Sequence, residues 1–243
     1  METSTLLSQT GTIDRAQLAL VPTPAGTATH RPIPHVDVVN ALIETLGFRH
    51  IGVVSEKYAV DRTGMKMFGV IDLDTAEHDF RFSVAIRNAH DKSMRLAMTV
   101  GYKVFVCDNM AFSGDFEPVL AKHSKHFNLV EAISIGVDQM QRNFKPMVQQ
   151  VNRWQESQLS DATAKLIIYR AFVEAEIDIP HHLDRAVHGL YFNPQHQEFQ
   201  PRTMWSLSNA FTSAFKELEP VPQFRATAKL ADFLKAVNYE IPF

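Results

Sequence analysis

The spacing of apolar residues changes near residue 128, and this change constrains the fold of the chain more than any other feature. Before it, short segments rich in Val, Ile, Phe and Tyr are separated by turn residues; after it, apolar residues recur every three or four positions. Short segments of this composition are typical of β-strands, and apolar residues that recur every three or four positions are typical of α-helices. Strands and helices that occupy separate stretches of a chain predict an α+β protein.

Four strands in antiparallel meander order are predicted in the first stretch. They lie within residues 48–60, 65–73, 80–88 and 93–110, the last with a break near Gly101. The turn sequences DRTG (residues 61–64) and AHDK (residues 89–92) separate neighbouring strands. Alternation within residues 80–86 predicts one face packed on a core and one face open to solvent or a ligand. A short amphipathic helix, from Pro34 to Gly47, precedes the strands.

The helical stretch opens with the clearest pattern in the chain. Eight apolar residues from Val130 to Trp154 follow one another at alternating steps of three and four, which is heptad spacing. Pro146 lies inside this pattern and predicts a kink or a break one turn earlier. Two helices packed on the sheet or on each other are favoured over an intermolecular coiled coil. Later helices are expected over residues 160–176, 183–189, 203–218 and 226–237.

These patterns divide the chain into three regions. Residues 1–34 are rich in Thr, Ser, Ala and Pro and predict a flexible N-terminal arm, in which only residues 13–21 hold enough Leu and Ile to dock. Residues 35–127 form the predicted α+β sheet core. Residues 128–243 form a helical region that packs on the sheet.

Composition excludes several classes of protein. The net charge of −3 argues against a protein that coats nucleic acid through bulk charge, so a nucleic-acid site must be a local patch. The single cysteine, Cys107, excludes an intrachain disulfide and Cys-based zinc sites, and it favours the reducing cytoplasm. No run approaches the roughly 20 apolar residues of a membrane span. We therefore expect a cytoplasmic protein with no membrane partner.

The sequence contains no catalytic or metal-binding signature. The motifs G-x-x-x-x-G-K, G-x-G-x-x-G and G-x-S-x-G do not occur. His123 and His126 form an i, i+3 pair without an acidic ligand in register, so the histidines are expected to face solvent or the core. The apolar run of residues 104–106 predicts that the Cys107 thiol is buried in a central strand and unreactive. We predict no catalytic residue, no metal and no cofactor.

Positive charge is concentrated in the predicted sheet. Between residues 81 and 103, five cations accompany a single acid, Asp91. Cations along a sheet face and its turn suit a sugar-phosphate backbone, although an ordinary solvated face has the same pattern. A second basic run follows at residues 122–126, and Tyr102 is expected to stack on a base. The predicted nucleic-acid-binding residues are Arg81, Arg87, Asn88, Lys92, Arg95, Tyr102, Lys103, Lys122 and Lys125.

Two stretches of the sequence resemble a known family. Residues 80–112 contain a strand, the turn RNAHDKS and an apolar strand that ends in Cys107-x-Asn109. Residues 203–215 contain Trp205 followed by Asn209 and Ala210. Both resemble the phage- and plasmid-associated family of domain of unknown function 932, which implies a mobile-element context but no established chemistry. The element order is also similar to the core of single-strand annealing proteins, which form rings and hold single-stranded DNA in a basic groove.

The sequence therefore predicts a non-enzymatic protein of a phage or plasmid that binds single-stranded nucleic acid in recombination or replication. The alternative is an assembly or inhibitor protein that binds another protein through its helical half. An enzyme that uses His90, Asp91 and Cys107 is the least supported hypothesis. A homo-oligomer is expected, because the apolar stripe beyond the proline needs cover. The predicted subunit contact consists of Met147, Val151 and Trp154.

Overall fold

The computed structural model confirms the predicted α+β class. It describes residues 11–240 except 108, 113–118, 125, 175–176, 178 and 219. A short helix leads into an antiparallel sheet, and a mostly helical half follows. The chain divides into two compact units. The first comprises Met1–Lys103 and Phe116–Phe144, and the second comprises Val104–Asp115 and Lys145–Phe243.

The sheet confirms the predicted meander of strands, but the break expected near Gly101 is wrong, because the fourth strand runs through this residue and ends at Val104. Its strands are β1 (Val53–Val60), β2 (Lys66–Ala76), β3 (Phe80–Ala89), β4 (Leu96–Val104), β5 (Met110–Phe112) and β6 (Val119–Ala121). In the first unit the order is β1-β2-β3-β4, and β6 also pairs with β4. The hairpin between β1 and β2 is closed by Asp61, whose Oδ1 accepts from the amides of Met65 and Lys66. Gly64 supplies the left-handed backbone that this turn requires, with φ of 72°.

Strand β3 is covered on both faces, so the prediction of an open face over residues 80–86 is wrong. Phe82 stacks on Phe144 at 4.1 Å between ring centroids. On the alternate positions Ser83 is fully buried and Ala85 is 8% exposed. Ser83, which the alternating pattern places on the face predicted to be open, donates from Oγ to a buried carboxylate oxygen of Asp72 at 2.7 Å. Its hydroxyl is therefore hydrogen-bonded although it is buried.

The described part of the predicted N-terminal arm is held against the first unit. Helix α1 (Arg15–Ala19) begins at Asp14, whose side chain accepts from the Gln17 amide. Ile13 pairs with Tyr58 of β1 through backbone hydrogen bonds of 2.8 and 3.3 Å. Helix α2 (His35–Phe48) packs on β3. The segment expected to dock, residues 13–21, therefore makes ordered contacts, while residues 1–10 lie outside the described residues.

Helix α3 (Leu129–Glu156) is continuous, so of the predicted kink or break one turn before Pro146 the break does not occur, and the kink stays a prediction. A proline removes one backbone donor, but the residues on both sides of Pro146 remain helical. The division between the two units falls inside the helix, between Phe144 and Lys145. The heptad stripe is buried at most positions, whereas Val130 at its start is 65% exposed.

The second unit is built around one buried helix. Its other helices are α4 (Asp161–Phe172), α5 (Asp184–Phe192) and α7 (Pro220–Glu240), and the buried one is α6 (Met204–Ala214). Helix α6 packs against α5 and α7. Asn109 Nδ2 donates to both the backbone and side-chain oxygens of Asn209 at 3.1 Å, which joins the two family-like stretches inside this unit.

Cys107 lies in a turn, so the prediction that it is buried in a central strand is wrong. Strand β4 ends at Val104, whose amide donates to the Asn109 carbonyl at 2.9 Å. Phe105 and Val106 are 42% and 39% exposed, and Cys107 is half-buried. An apolar run does not by itself distinguish a buried strand from a turn that carries apolar side chains.

The Gly69→Ala substitution is expected to destabilise the first unit. A Cβ at position 69 would lie 2.7 Å from Tyr58 Cδ1 and 3.1 Å from Ile86 Cγ2. Tyr58 is fully buried, so relief of this overlap requires movement of the core, and we expect a loss of about 1–3 kcal/mol. Thermal unfolding followed by circular dichroism measures the loss. The matched control is Gly47→Ala, which meets no atom within 4 Å and adds helix propensity. Equal melting temperatures for the two variants would contradict the packing argument.

Candidate functional site

A pocket of about 500 Å³ lies at the β3–β4 turn of the first unit. Its walls come from three segments that are distant in sequence: residues 29–30, residues 89 and 92–95, and residues 122–124. The first and third of these segments are joined by a bridge between His30 and Ser124. The Arg31 amide also donates to the His123 carbonyl at 3.2 Å, so backbone pairing fixes this wall.

Three cations line the pocket: Lys92, Arg95 and Lys122. No carboxylate is found among the described residues of its lining. Asp91, the acid of the turn, instead accepts from the Ser93 amide at 3.0 Å and lies 3.9 Å from Lys66 Nζ. All three residues are exposed, so their side chains are hydrated. The result is a local positive site in a chain of net negative charge.

Lys92 adopts left-handed backbone, with φ of 64°. Glycine or asparagine is preferred in this conformation, and another residue there costs of order 1 kcal/mol. The tight turn requires the conformation, and it places a lysine at the pocket. Residues in strained backbone conformations are concentrated at functional sites, so the presence of a lysine here favours a functional role for its charge.

A stacked pair of histidines, His30 and His123, forms the buried side of the pocket. Their ring centroids are 5.7 Å apart. His30 Nδ1 lies 3.0 Å from the His123 carbonyl, and its Nε2 lies 3.0 Å from the His90 carbonyl. Both partners are carbonyl oxygens, which can only accept, so a protonated ring nitrogen of His30 donates to the carbonyl it faces.

His123 is buried without a hydrogen-bond partner for its ring. Its residue is 6% exposed, and in the described part of the chain neither Nδ1 nor Nε2 has a partner. Burial lowers the pKa of His123 to about 4, and the neighbouring His30 adds to this shift. The ring is therefore neutral at pH 7, and its unsatisfied nitrogens carry a desolvation cost of about 1–3 kcal/mol each.

A second stacked pair, His35 and His90, fixes the wall behind the turn. The ring centroids are 3.8 Å apart. Asn88 Nδ2 donates to His35 Nδ1 at 2.8 Å, so Nε2 carries the proton and donates to the Gly64 carbonyl at 3.1 Å. His90 Nε2 donates to the Ile33 carbonyl at 2.9 Å. Burial, followed by the proximity of His90, lowers the pKa of His35 to about 4, which agrees with this neutral tautomer.

The structure brings together three of the predicted nucleic-acid-binding residues and separates the others. Lys92, Arg95 and Lys122 share the pocket. Arg81 and Arg87 are half-buried on β3 outside the pocket lining. Lys125 lies outside the described residues.

Three further predicted binding residues have structural partners in the interior. Asn88 is fully buried and donates to the Ile33 carbonyl at 3.0 Å. Tyr102 is 8% exposed and lies against Phe80, with ring centroids 5.1 Å apart. Lys103 Nζ lies 3.5 Å from an Asp72 carboxylate oxygen. We therefore leave these three residues out of the candidate site.

The residues predicted to form a subunit contact are buried within the chain. Met147, Val151 and Trp154 are 3%, 1% and 4% exposed. Their contact with a second copy stays a prediction, but the apolar stripe already has cover. A Trp154→Glu substitution would place a charge in this interior, so it is expected to destabilise the second unit rather than dissociate subunits selectively.

Sequence reasoning missed His30 as a site residue and assigned no ligand role to His123. His30 lies in a proline-rich segment that carries no periodic pattern, and its partners are more than fifty residues away in sequence. His123 stands next to Lys122 in a basic run, which was the available signal. Within the described residues, no group of three His, Cys, Asp or Glu side chains is arranged to hold a metal ion.

The fold and this site define the class: an α+β protein with a basic pocket at a β-hairpin turn. Residues 28–235 match the family described as Domain of unknown function (DUF932). The match covers most of the chain, and the chain belongs to this family. It confirms the family indicated by residues 80–112 and 203–215. No curated protein and no solved structure matched the chain. None of the helices in the described part of the chain has the length and apolarity needed to cross a membrane.

The free energy of unfolding is expected to fall as pH decreases from 6.5 towards 5, in part through His123. Between its folded pKa of about 4 and its ordinary value of 6.5, only the unfolded chain binds the proton, so acid favours unfolding. One such histidine contributes up to about 1.4 kcal/mol per pH unit. Urea unfolding at pH 7.5, 6 and 5 measures the slope.

The His123→Phe variant should have a shallower slope than the wild type, because phenylalanine cannot titrate. Phe127→Leu is a packing control, since Phe127 neighbours the His123 ring at 6.4 Å between centroids but carries no proton. The control should retain the wild-type slope. Identical slopes for wild type and His123→Phe would show that His123 does not contribute.

Proposed function

We propose that the chain is a non-enzymatic protein that binds single-stranded nucleic acid through phosphate contacts at the β3–β4 turn. The observation that carries the proposal is the convergence of Lys92, Arg95 and Lys122 on one pocket without a carboxylate in its described lining. Cations that contact phosphates release counterions from the nucleic acid, which is the main source of affinity for it. The proposal includes a phage or plasmid origin, a cytoplasmic location and a role in recombination or replication.

The hydroxyl groups of the pocket support a phosphate ligand. Thr29 and Ser124 line it beside the cations, and hydroxyls donate hydrogen bonds to phosphate oxygens. Phosphate contacts of this kind position a strand without reading its sequence. We therefore expect binding with little dependence on base composition.

Neutralising the pocket should weaken the binding of single-stranded DNA and reduce its dependence on salt. The test variant is the triple substitution Lys92→Gln, Arg95→Gln and Lys122→Gln. Loss of these contacts should reduce the slope of log affinity against log salt by about 0.7 for each phosphate that the pocket no longer neutralises. Fluorescence anisotropy of a labelled single-stranded oligonucleotide between roughly 50 and 200 mM salt measures both affinity and slope.

The matched control removes the same charge from the second unit. Its substitutions are Lys145→Gln, Arg153→Gln and Arg225→Gln, at exposed cations. If net charge alone governs binding, the two triple variants will behave alike, and the pocket proposal fails. Wild-type protein that binds no single-stranded oligonucleotide at low salt also refutes it.

The second candidate function, binding of another protein through the helical half, is favoured by an exposed apolar stripe. Leu166 and Tyr169 of α4 and Val173, the residue that caps its C-terminus, are 48%, 50% and 56% exposed and recur at helical spacing. Exposed apolar side chains at this spacing are typical of a helix that has a partner. Failure of nucleic-acid binding together with association through this stripe would favour this function.

Self-association is part of the proposal and is tested directly. Sedimentation velocity at micromolar concentration should detect a species heavier than the 27.5 kDa chain. The double substitution Leu166→Gln and Tyr169→Gln should reduce that species if the α4 stripe contacts a second copy. A monomer for the wild type, with and without single-stranded DNA, would contradict the expected homo-oligomer.

A further inference from the structure

The size of the pocket limits what it holds. Its volume of about 500 Å³ lies in the range of small-molecule sites, roughly 300–1,000 Å³. An extended strand of several nucleotides needs cations distributed along a path, because its phosphates are spaced along the backbone. Here Lys92, Arg95 and Lys122 converge on one compact space. The volume therefore suits one nucleotide rather than a tract.

The charge of the lining suits a phosphate monoester better than an internal phosphodiester. An internal phosphodiester carries a single negative charge, whereas a monoester carries about −1.5 to −2 at pH 7. The three cations of the pocket face no carboxylate among its described lining residues. Asp91, the closest acid in sequence, interacts with Lys66 instead. A dianion matches this concentration of positive charge.

The buried side of the pocket supplies a second, independent observation. His123 lines the pocket, is 6% exposed, and has two ring nitrogens without a described partner. Buried polar atoms are nearly always hydrogen-bonded, so the two ring nitrogens of His123 offer hydrogen-bonding capacity to a polar group that enters the pocket. The contact between the His30 ring and the His123 carbonyl holds the backbone of His123 in place. It does not involve the His123 imidazole, whose nitrogens stay available to a ligand.

We infer that the pocket binds the phosphate monoester of a single nucleotide, with the phosphate between Lys92, Arg95 and Lys122 and a polar group of the nucleotide beside His123. Two sources supply this chemistry: a free mononucleotide, or the phosphorylated end of a nucleic-acid strand. The strand end rests on the proposed function, whereas the free nucleotide does not. In the first case the pocket senses a metabolite; in the second it recognises a strand terminus.

The experiment compares four probes on the full-length protein, with the unphosphorylated nucleoside as the control competitor. They are a single-stranded oligonucleotide with a 5′-phosphate, the same oligonucleotide with a 3′-phosphate, its unphosphorylated form, and an unlabelled nucleoside monophosphate as competitor. Terminal phosphate on at least one end should raise affinity about tenfold over the unphosphorylated strand, since it adds a charge-assisted contact worth about 1.4 kcal/mol. The monophosphate should compete, and the corresponding nucleoside should not.

The outcomes separate this inference from the proposed function. Equal affinity for all three oligonucleotides, without competition by the monophosphate, overturns the inference and leaves strand binding intact. Binding of the monophosphate without binding of any oligonucleotide supports the inference with a free nucleotide and overturns the proposed function. Preference for a phosphorylated end, with competition, supports both.

Two variants test whether the named residues hold the phosphate. Lys92→Gly removes the cation at a position where the backbone favours glycine, so its melting temperature should equal or exceed that of the wild type. Its affinity for the monophosphate should fall about tenfold. His123→Phe retains the shape of the ring without its nitrogens and should also weaken binding. Lys145→Gln is the matched control and should bind as the wild type does. Wild-type affinity for the monophosphate in Lys92→Gly overturns the assignment.

Discussion

Hydrogen bonds from buried imidazoles to backbone carbonyls hold the pocket of the first unit in place. His30 spans the carbonyls of His90 and His123, and His90 reaches the carbonyl of Ile33. These contacts tie the segment before α2 to the β3–β4 turn and to the chain after β6. Because the acceptors are main-chain atoms, these hydrogen bonds fix the walls without involving the side chains of Lys92, Arg95 and Lys122. The cationic side chains are consequently not required for the network.

The neutrality of the buried rings makes a cationic pocket tolerable. Desolvation penalises a charged imidazole, and it keeps the pKa values of His35, His90 and His123 low. If these rings were charged at pH 7, they would repel one another across stacking distances and repel the lysines at the mouth. Burial thus separates two tasks: the neutral rings of His35, His90 and His123 support the buried side of the pocket, and exposed cations line its opening.

Local signals predicted the fold well, and distant contacts limited the prediction of the site. The DRTG turn, the strand segments and the caps at Ser160 and Thr203 depend on residues only a few positions apart, so the sequence indicates them directly. The pocket depends on contacts of His30 with the carbonyls of His90 and His123, and no periodic pattern in the sequence predicts contacts between residues so far apart. Cys107 shows a further limit, because an apolar run has the same composition in a strand and in an exposed turn.

Counting charges along the sequence overestimated the basic surface for a physical reason. Lys103 belongs to the positive segment, but it lies near Asp72, an acid 31 residues earlier that β2 places beside it. Lys122 lies outside that segment, yet it joins Lys92 and Arg95 in space. The positive region is therefore compact instead of extended, within a chain whose net charge of −3 argues against coating of nucleic acid through bulk charge. A compact site on an acidic protein favours a ligand whose negative charge is concentrated in one group, because such a ligand gains the local attraction while the rest of the surface repels it least.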